Sequence, residues 1–254
     1  MVSLLRNKES SVAVVATDPN SPFTGGAILG DRIRMQRHAL DPKVFIRSMG
    51  ARGHLGGLSL ATREAIRLLG AFGFDEVLLE TVGVGQSELE VAAVADTTVV
   101  VLTPNLGDSV QMIKAGILEI ADIFVVNKAD FEGYTRVMAE LRAMLSLAPK
   151  QLARKGEEVQ TDWKPPILAT IASRQEGVGE VWEAVLAHRK HLEKTGRAEE
   201  LAKQRLRDET AEVAAELARS RARLALDEDP DLVRRLQDDG TPYRIAEEIL
   251  DRKR

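Results

Sequence analysis

Val77-Leu78-Leu79-Glu80-Thr81-Val82-Gly83-Val84-Gly85-Gln86-Ser87-Glu88 is the stretch from which the rest of this chain is read. It opens on an apolar run, residues 77–79, of a length that suits a buried strand. The run ends in a carboxylate, Glu80, with Gly83 and Gly85 after it. In open α/β sheets the ligand crevice lies at the carboxyl ends of the strands. A carboxylate there suits Mg²⁺, which keeps much of its water and takes only one or two carboxylates. A glycine three residues on lets the backbone approach a phosphate with its N–H as donor. An acid, two spacers and a glycine after a strand form the arrangement that senses the terminal phosphate of a nucleotide triphosphate. A dinucleotide fold competes, because Gly83-Val84-Gly85 begins like G-x-G-x-x-G. It fails at the third glycine, where Glu88 stands, and in the missing acid about 20 residues on.

The second signal is Asn127-Lys128-Ala129-Asp130, which follows the apolar run 123–126. Guanine presents a carbonyl at position 6 and N–H donors at N1 and N2. A carboxylate accepts both donors and rejects adenine, whose edge is reversed. Asp130 suits that role, Lys128 would lay its stem along the base or ribose, and Asn127 would tie the loop to its neighbours. At the mouth of a further predicted strand, 167–171, Ala172 and Ser173 offer backbone N–H groups to the guanine carbonyl.

Composition narrows the classes. The chain has 254 residues, 44% apolar, which is enough for one large domain or a domain with a helical appendage. A net charge of −4 argues against a nucleic-acid surface. The absence of cysteine excludes disulfides, thiolate metal sites and cysteine nucleophiles. No apolar run approaches the roughly 18 residues a membrane span needs, and 1–11 holds no signal-peptide core. A cytoplasmic protein is expected.

Further strands are expected at 12–16, 44–47 and 97–102. The last, β-branched and apolar on both faces, reads as a central parallel strand. Helices are expected near 59–71, after Glu88, over 110–120, over 133–147 and over 181–191. Asp18 repeats the design of Glu80 as an acid at a strand end, or else is a turn former before Pro19. Asp31 is a second acid suited to a metal. Gly25 and Gly30 have the spacing of a phosphate-binding loop, but Asp31-Arg32 stands where Lys-Ser/Thr is required. No Gly-Lys pair occurs anywhere in the chain. His54, in a loop with four glycines, reads as a surface residue or a catalytic one. By pattern alone Asp108 is a helix cap and Lys114 a solvated lysine. From 188 onward, positive and negative residues are equal in number and interspersed, as on solvated helix faces. Leu206, Val213, Leu217 and Leu224 form a short seam that needs a partner surface. His188 and His191 share a helix face, but the pattern supplies no third metal ligand.

The motifs together resemble the MeaB/ArgK-type GTPases, chaperones of adenosylcobalamin-dependent methylmalonyl-CoA mutase and related acyl-CoA mutases. The resemblance runs through 18–26, 30–35, 52–57, 80–88 and 127–130 and extends over nearly the whole chain. It implies an α/β fold of P-loop GTPase type. A mostly parallel sheet would carry helices on both faces, in a domain spanning 1–190. A helical dimerisation region would span 191–254. It implies GTP or GDP and Mg²⁺ as ligands and a homodimer as the assembly. Asp31 and Glu80 become candidate catalytic residues, and Asp18, Asp31 and Glu80 the metal set. Asn127, Lys128, Asp130, Ala172, Ser173 and Gly83 become the nucleotide set. Loop 24–57 becomes a first switch and 83–88, with Gln86 and Glu88, a second. Asp108 and Lys114 become a third, coupled to the mutase, in place of their blander reading. Against the family pattern the sequence opens partway along the helix after the phosphate loop, so a truncated start is expected. That leaves a non-hydrolysing, mutase-binding module as the alternative to an active GTPase. A nickel or zinc chaperone is disfavoured by the lack of cysteines and of a histidine-rich run, and an amino-acid-transport kinase has no support in the sequence.

Overall fold

The computed structural model describes residues 1–18, 36–50, 60–81, 87–104, 118–147, 163–239 and 241–251. Two compact units divide the chain, Met1–Glu199 and Glu200–Arg254.

The first unit is built on parallel ladders whose central strands bury both faces. Val12–Asp18 (β1) lies between Val44–Gly50 (β2) and Glu76–Thr81 (β3), all parallel, in the order β2-β1-β3. Successive side chains of a strand point to opposite faces. Val12 and Val14 accordingly pack against Leu5 of helix α1 (Val2–Asn7), and Ala13 and Val15 against Leu69 of helix α2 (Leu60–Phe72). A strand covered on both faces needs apolar residues at every position, which is why 12–16 read as a continuous run.

A second parallel sheet has the order β4-β5-β6, from Val99–Leu102 (β4), Ile123–Asn127 (β5) and Ile167–Thr170 (β6). The single sheet expected from the sequence is thus two three-stranded parallel ladders, with no pairing between β3 and β4 among the described residues. Residues 97–102 are also not the central strand. β4 lies at the edge of its ladder and leaves Val101 55% exposed, whereas Ile123 to Val126 of β5 are all buried. Composition reports burial against covering helices, but strand order is set by the connections, which composition does not encode.

The helix after Ser87–Val94 (α3) and the short turn Leu118–Ile120 (α4) is Tyr134–Leu147 (α5), which presses Val137 and Leu141 onto Phe124 and Val126. On the opposite face runs Val178–Lys194 (α6). Its Trp182 packs with Val12 and Val14 of the first sheet, its Val181 with Ile123 and Val125 of the second, and its Val185 with both clusters. One helix therefore covers the same side of both sheets. Arg189 adds a two-pronged ion pair to Glu76 of β3, at 2.8 and 3.2 Å.

The second unit contains most of Arg197–Glu228 (α7), with Pro230–Asp239 (α8) and Pro242–Asp251 (α9). Pro stands at the first position of both short helices, where its missing N–H is no loss. Leu232, Ile245 and Ile249 are buried together against Leu226 and Leu236, and Arg235 pairs with Glu248 across α8 and α9. Helix α7 has no buried residue, and Leu206, Leu217 and Leu224 are each more than half exposed. No described helix is long and apolar enough to cross a membrane.

Candidate functional site

The parallel arrangement brings the motif-bearing strand ends to the carboxyl edges of the two sheets. On the first sheet Glu80 pairs in register with Ala16, so the Asp18 position lies two residues beyond that partner, on the adjacent strand. Thr17 Oγ1 donates to the Glu80 carbonyl at 3.0 Å and locks the two strand ends together. Acid oxygens at neighbouring strand ends are the hard donors Mg²⁺ prefers, so the residue types fit that ion. Glu80 is solvent-exposed. The Asp18 side chain, Asp31, Gly83, Gln86, the Glu88 side chain, Asp108, Lys114 and loop 51–59 with His54 lie outside the described residues.

On the second sheet the geometry is complete. β5 ends at Asn127, which pairs in register with Thr170 at the end of β6. Asn127 Oδ1 accepts two hydrogen bonds, from Thr170 Oγ1 at 3.0 Å and from the Ala172 backbone N–H at 3.1 Å. The Ala129 N–H donates to the Thr170 carbonyl at 3.0 Å. Lys128 takes a left-handed backbone, φ 60°, which an L-residue with a side chain adopts only when its surroundings impose it. The chain then turns through Phe131, whose N–H donates to the Lys128 carbonyl at 2.9 Å. Lys128 Nζ stands 6.0 Å from the centre of the Phe131 ring.

The facing loop is equally constrained. Ala172–Arg174 forms one tight helical turn, closed by Gln175 with φ 61°, and Ile171 bridges back to Glu176. Gly177 follows at φ +76°, where an added Cβ would lie 2.2 Å from the Ala169 carbonyl oxygen. Only glycine lets helix α6 start that close to β6. The turn returns Arg174 to the other loop, with Nη2 3.7 Å from Asp130 Oδ2. Among the described residues only three non-glycines have positive φ, and two of them, Lys128 and Gln175, belong to these facing loops.

The structure thus brings together Asn127, Lys128, Asp130, Ala172 and Ser173 of the residues singled out from sequence. The Ala172 N–H, expected to face the guanine carbonyl, donates to Asn127 Oδ1 in this structure. Sequence reasoning missed Thr170, Arg174 and Gly177. The sequence signal for Arg174 is a cation directly after the Ala172-Ser173 pair, and for Gly177 a glycine at the start of a helical pattern.

The amino ends of the second sheet hold a separate polar cluster. His188 of α6 is 4% exposed, with Nδ1 2.9 Å from Thr97 Oγ1 and Nε2 3.3 Å from Asp122 Oδ1. Trp163 donates its indole N–H to the Asp122 carbonyl at 2.9 Å and lies tilted against both His188 and His191, its ring plane 49° and 41° from theirs. Burial holds the His188 imidazole below its usual pKa, only partly offset by the Asp122 carboxylate. No group of three or more metal-ligating side chains forms among the described residues.

Residues 1–227 match the family model described as methylmalonyl-CoA mutase-associated GTPase MeaB. A Pyrococcus horikoshii protein, named as a GTPase by inference, is 46% identical over 253 residues, covering 99% of this chain and 78% of its own length. The GTPase ArgK of Escherichia coli is 41% identical over 213 residues, covering 82% of this chain and 63% of its own length. The nickel-bound structure of HypB from Helicobacter pylori aligns at a TM-score of 0.46 and 16% identity, over 74% of this chain and 79% of that one, a likeness too low to argue from. The expectation of a truncated start is unsupported by these matches.

Proposed function

The chain belongs to the MeaB family of methylmalonyl-CoA mutase-associated GTPases, and we propose that it binds GTP and GDP and gates adenosylcobalamin loading into an acyl-CoA mutase. The observation that carries this reading is the double acceptance by Asn127 Oδ1, which joins the ends of β5 and β6 and fixes the Asp130 loop at the sheet mouth. Asp130 accepts guanine N1–H and N2–H. With the Ala172 N–H committed to Asn127, the guanine carbonyl is assigned to the Ser173 N–H. Lys128 flanks the base or ribose.

Asp18, Asp31 and Glu80 are the residues that would hold Mg²⁺. When bound, that ion neutralises phosphate charge during transfer. Gly83 donates its backbone N–H to the terminal phosphate, and Asp31 and Glu80 are the candidate catalytic acids. Gln86 and Glu88 move with nucleotide state, and Asp108 and Lys114 pass that state to the mutase. Exposed Leu206, Leu217 and Leu224 of α7 supply a homodimer face.

A second reading keeps mutase binding without hydrolysis. Steady-state phosphate release separates the two readings. The test of base recognition is calorimetric titration with GDP and with ADP. A carboxylate left without its two donors beneath the base disfavours adenine. Equal affinities for the two nucleotides would overturn the assignment of Asp130.

A further inference from the structure

We propose that Arg174 is a specificity-setting gate on Asp130, its guanidinium standing in for the guanine edge until a base displaces it. The proposal rests on the reading of Asp130 as the partner of guanine. Three observations carry it. Arg174 Nη2 lies 3.7 Å from Asp130 Oδ2, across the mouth where the base is read. The Arg174 backbone is held in the Ala172–Arg174 turn, its N–H donating to the Ile171 carbonyl at 2.9 Å and the Gln175 N–H to the Ala172 carbonyl at 3.2 Å. The Arg174 side chain is 62% exposed and the Asp130 side chain 30%, so the guanidinium is free to swing into solvent while the carboxylate stays in place.

The chemistry explains why this is a gate and not only a surface pair. A guanidinium presents adjacent N–H donors in a plane, in the fork geometry that matches a carboxylate. Here one nitrogen faces one oxygen, Nη2 3.7 Å from Oδ2, an ion pair longer than a hydrogen bond, whereas guanine N1–H and N2–H offer two donors to the two carboxylate oxygens. A guanine base therefore replaces the arginine without leaving Asp130 unpaired. Adenine presents an acceptor at N1 and has no donor pair to offer, so it must remove the arginine and then leave the carboxylate unpaired. The pair makes Asp130 less available to every base, and only guanine repays the displacement.

An exposed pair of this kind is weak, so the effect on affinity is at most roughly five-fold. It is read by calorimetry with GDP on the full chain, as wild type, Arg174→Ala and Arg174→Lys. Arg174→Ala is expected to bind GDP up to about five-fold more tightly and Arg174→Lys to stay near wild type. The gain should shrink as salt is raised. In an Asp130→Asn background, titrated with xanthosine diphosphate, Arg174→Ala should change nothing. If Arg174→Ala weakens GDP binding, leaves it unchanged, or tightens it equally in the Asp130→Asn background, the gate is wrong. The guanine reading then survives if Asp130→Ala abolishes the preference for GDP over ADP. If the wild type binds GDP and ADP equally, or binds neither, the guanine reading and the gate fall together.

Discussion

Asn127 Oδ1 accepts the backbone N–H of Ala172 at 3.1 Å, so a side chain at the end of one strand organises the loop after the next. With Thr170 Oγ1 on the same oxygen at 3.0 Å, the amide is fully used as an acceptor. Asp130 sits three residues after this anchor and inherits its position.

Asn127→Ala should therefore act on both stability and binding. Leaving the buried Thr170 hydroxyl without its acceptor costs about 1–3 kcal/mol, while the exposed Ala172 N–H can turn to water. Urea unfolding should show that loss, and GDP affinity should fall further than the stability change predicts, because the Asp130 loop loosens. Unchanged GDP affinity in a destabilised variant would detach Asn127 from base recognition.

Gly177 and Gly196 make a controlled comparison. Both have positive φ, +76° and +72°, but a Cβ on Gly177 meets the Ala169 carbonyl oxygen at 2.2 Å while one on Gly196 meets nothing within 4 Å. Gly196→Ala should pay only for its backbone conformation, about 1 kcal/mol. Gly177→Ala must also push α6 away from β6, and should lose well over ~2 kcal/mol or fail to fold. Thermal melts of the pair decide it, and equal losses would mean that the close approach is not a constraint.

Much of this architecture was legible in the sequence. All six described strands stand where apolar runs predicted them, and burial is most continuous at β1 and β5, where 12–16 and 123–126 are covered on both faces and so apolar throughout. The Asp130 loop was legible for a similar reason: its motif follows a strand directly, so local sequence fixes its place at the sheet edge. The strand order was not, and β4 proved an edge because pairing is decided by chain connections rather than by β-branched content. Arg174 was not legible either. Its approach to Asp130 depends on β6 lying beside β5 and on one tight turn reversing the chain, a tertiary relationship between residues far apart in sequence.

The exposed seam of α7 yields a prediction about assembly. Leu206, Leu217 and Leu224 are 55–60% exposed within one chain, which leaves an apolar stripe on an otherwise charged helix. If that stripe is the homodimer face, Leu217→Asp buries an unpaired carboxylate at a penalty of several kcal/mol. Sedimentation should then show a dimer for the wild type and a monomer for the variant. Two identical dimers would place the interface elsewhere.

The last prediction concerns acid. His188 is enclosed by Thr97, Asp122 and Trp163, with Asp96, His191 and Arg197 acting on it through charge. Burial is the largest influence and lowers its pKa. The Asp122 and Asp96 carboxylates pull it up, and His191 and Arg197 push it down. The folded state therefore holds His188 neutral at a pH where the unfolded chain has begun to protonate it. With more protons bound in the unfolded state, stability rises with pH across that window. The contribution is whole above the ordinary histidine pKa of about 6.5 and is lost as pH falls through the lower folded value. The wild type should accordingly melt at a lower temperature at pH 5.5 than at pH 8, well above the range in which Asp41 and Asp75, both held below the usual carboxylate pKa by hydrogen bonds, begin to protonate. His188→Gln, which keeps a polar partner for Thr97 but cannot take the charge, should lose less melting temperature over the same interval. His38 is also held low, chiefly by burial and by Arg37, so it acts with the same sign, and His38→Gln measures its separate share of the loss. If wild type and His188→Gln lose the same melting temperature between pH 8 and pH 5.5, the buried imidazole is not the group that senses acid.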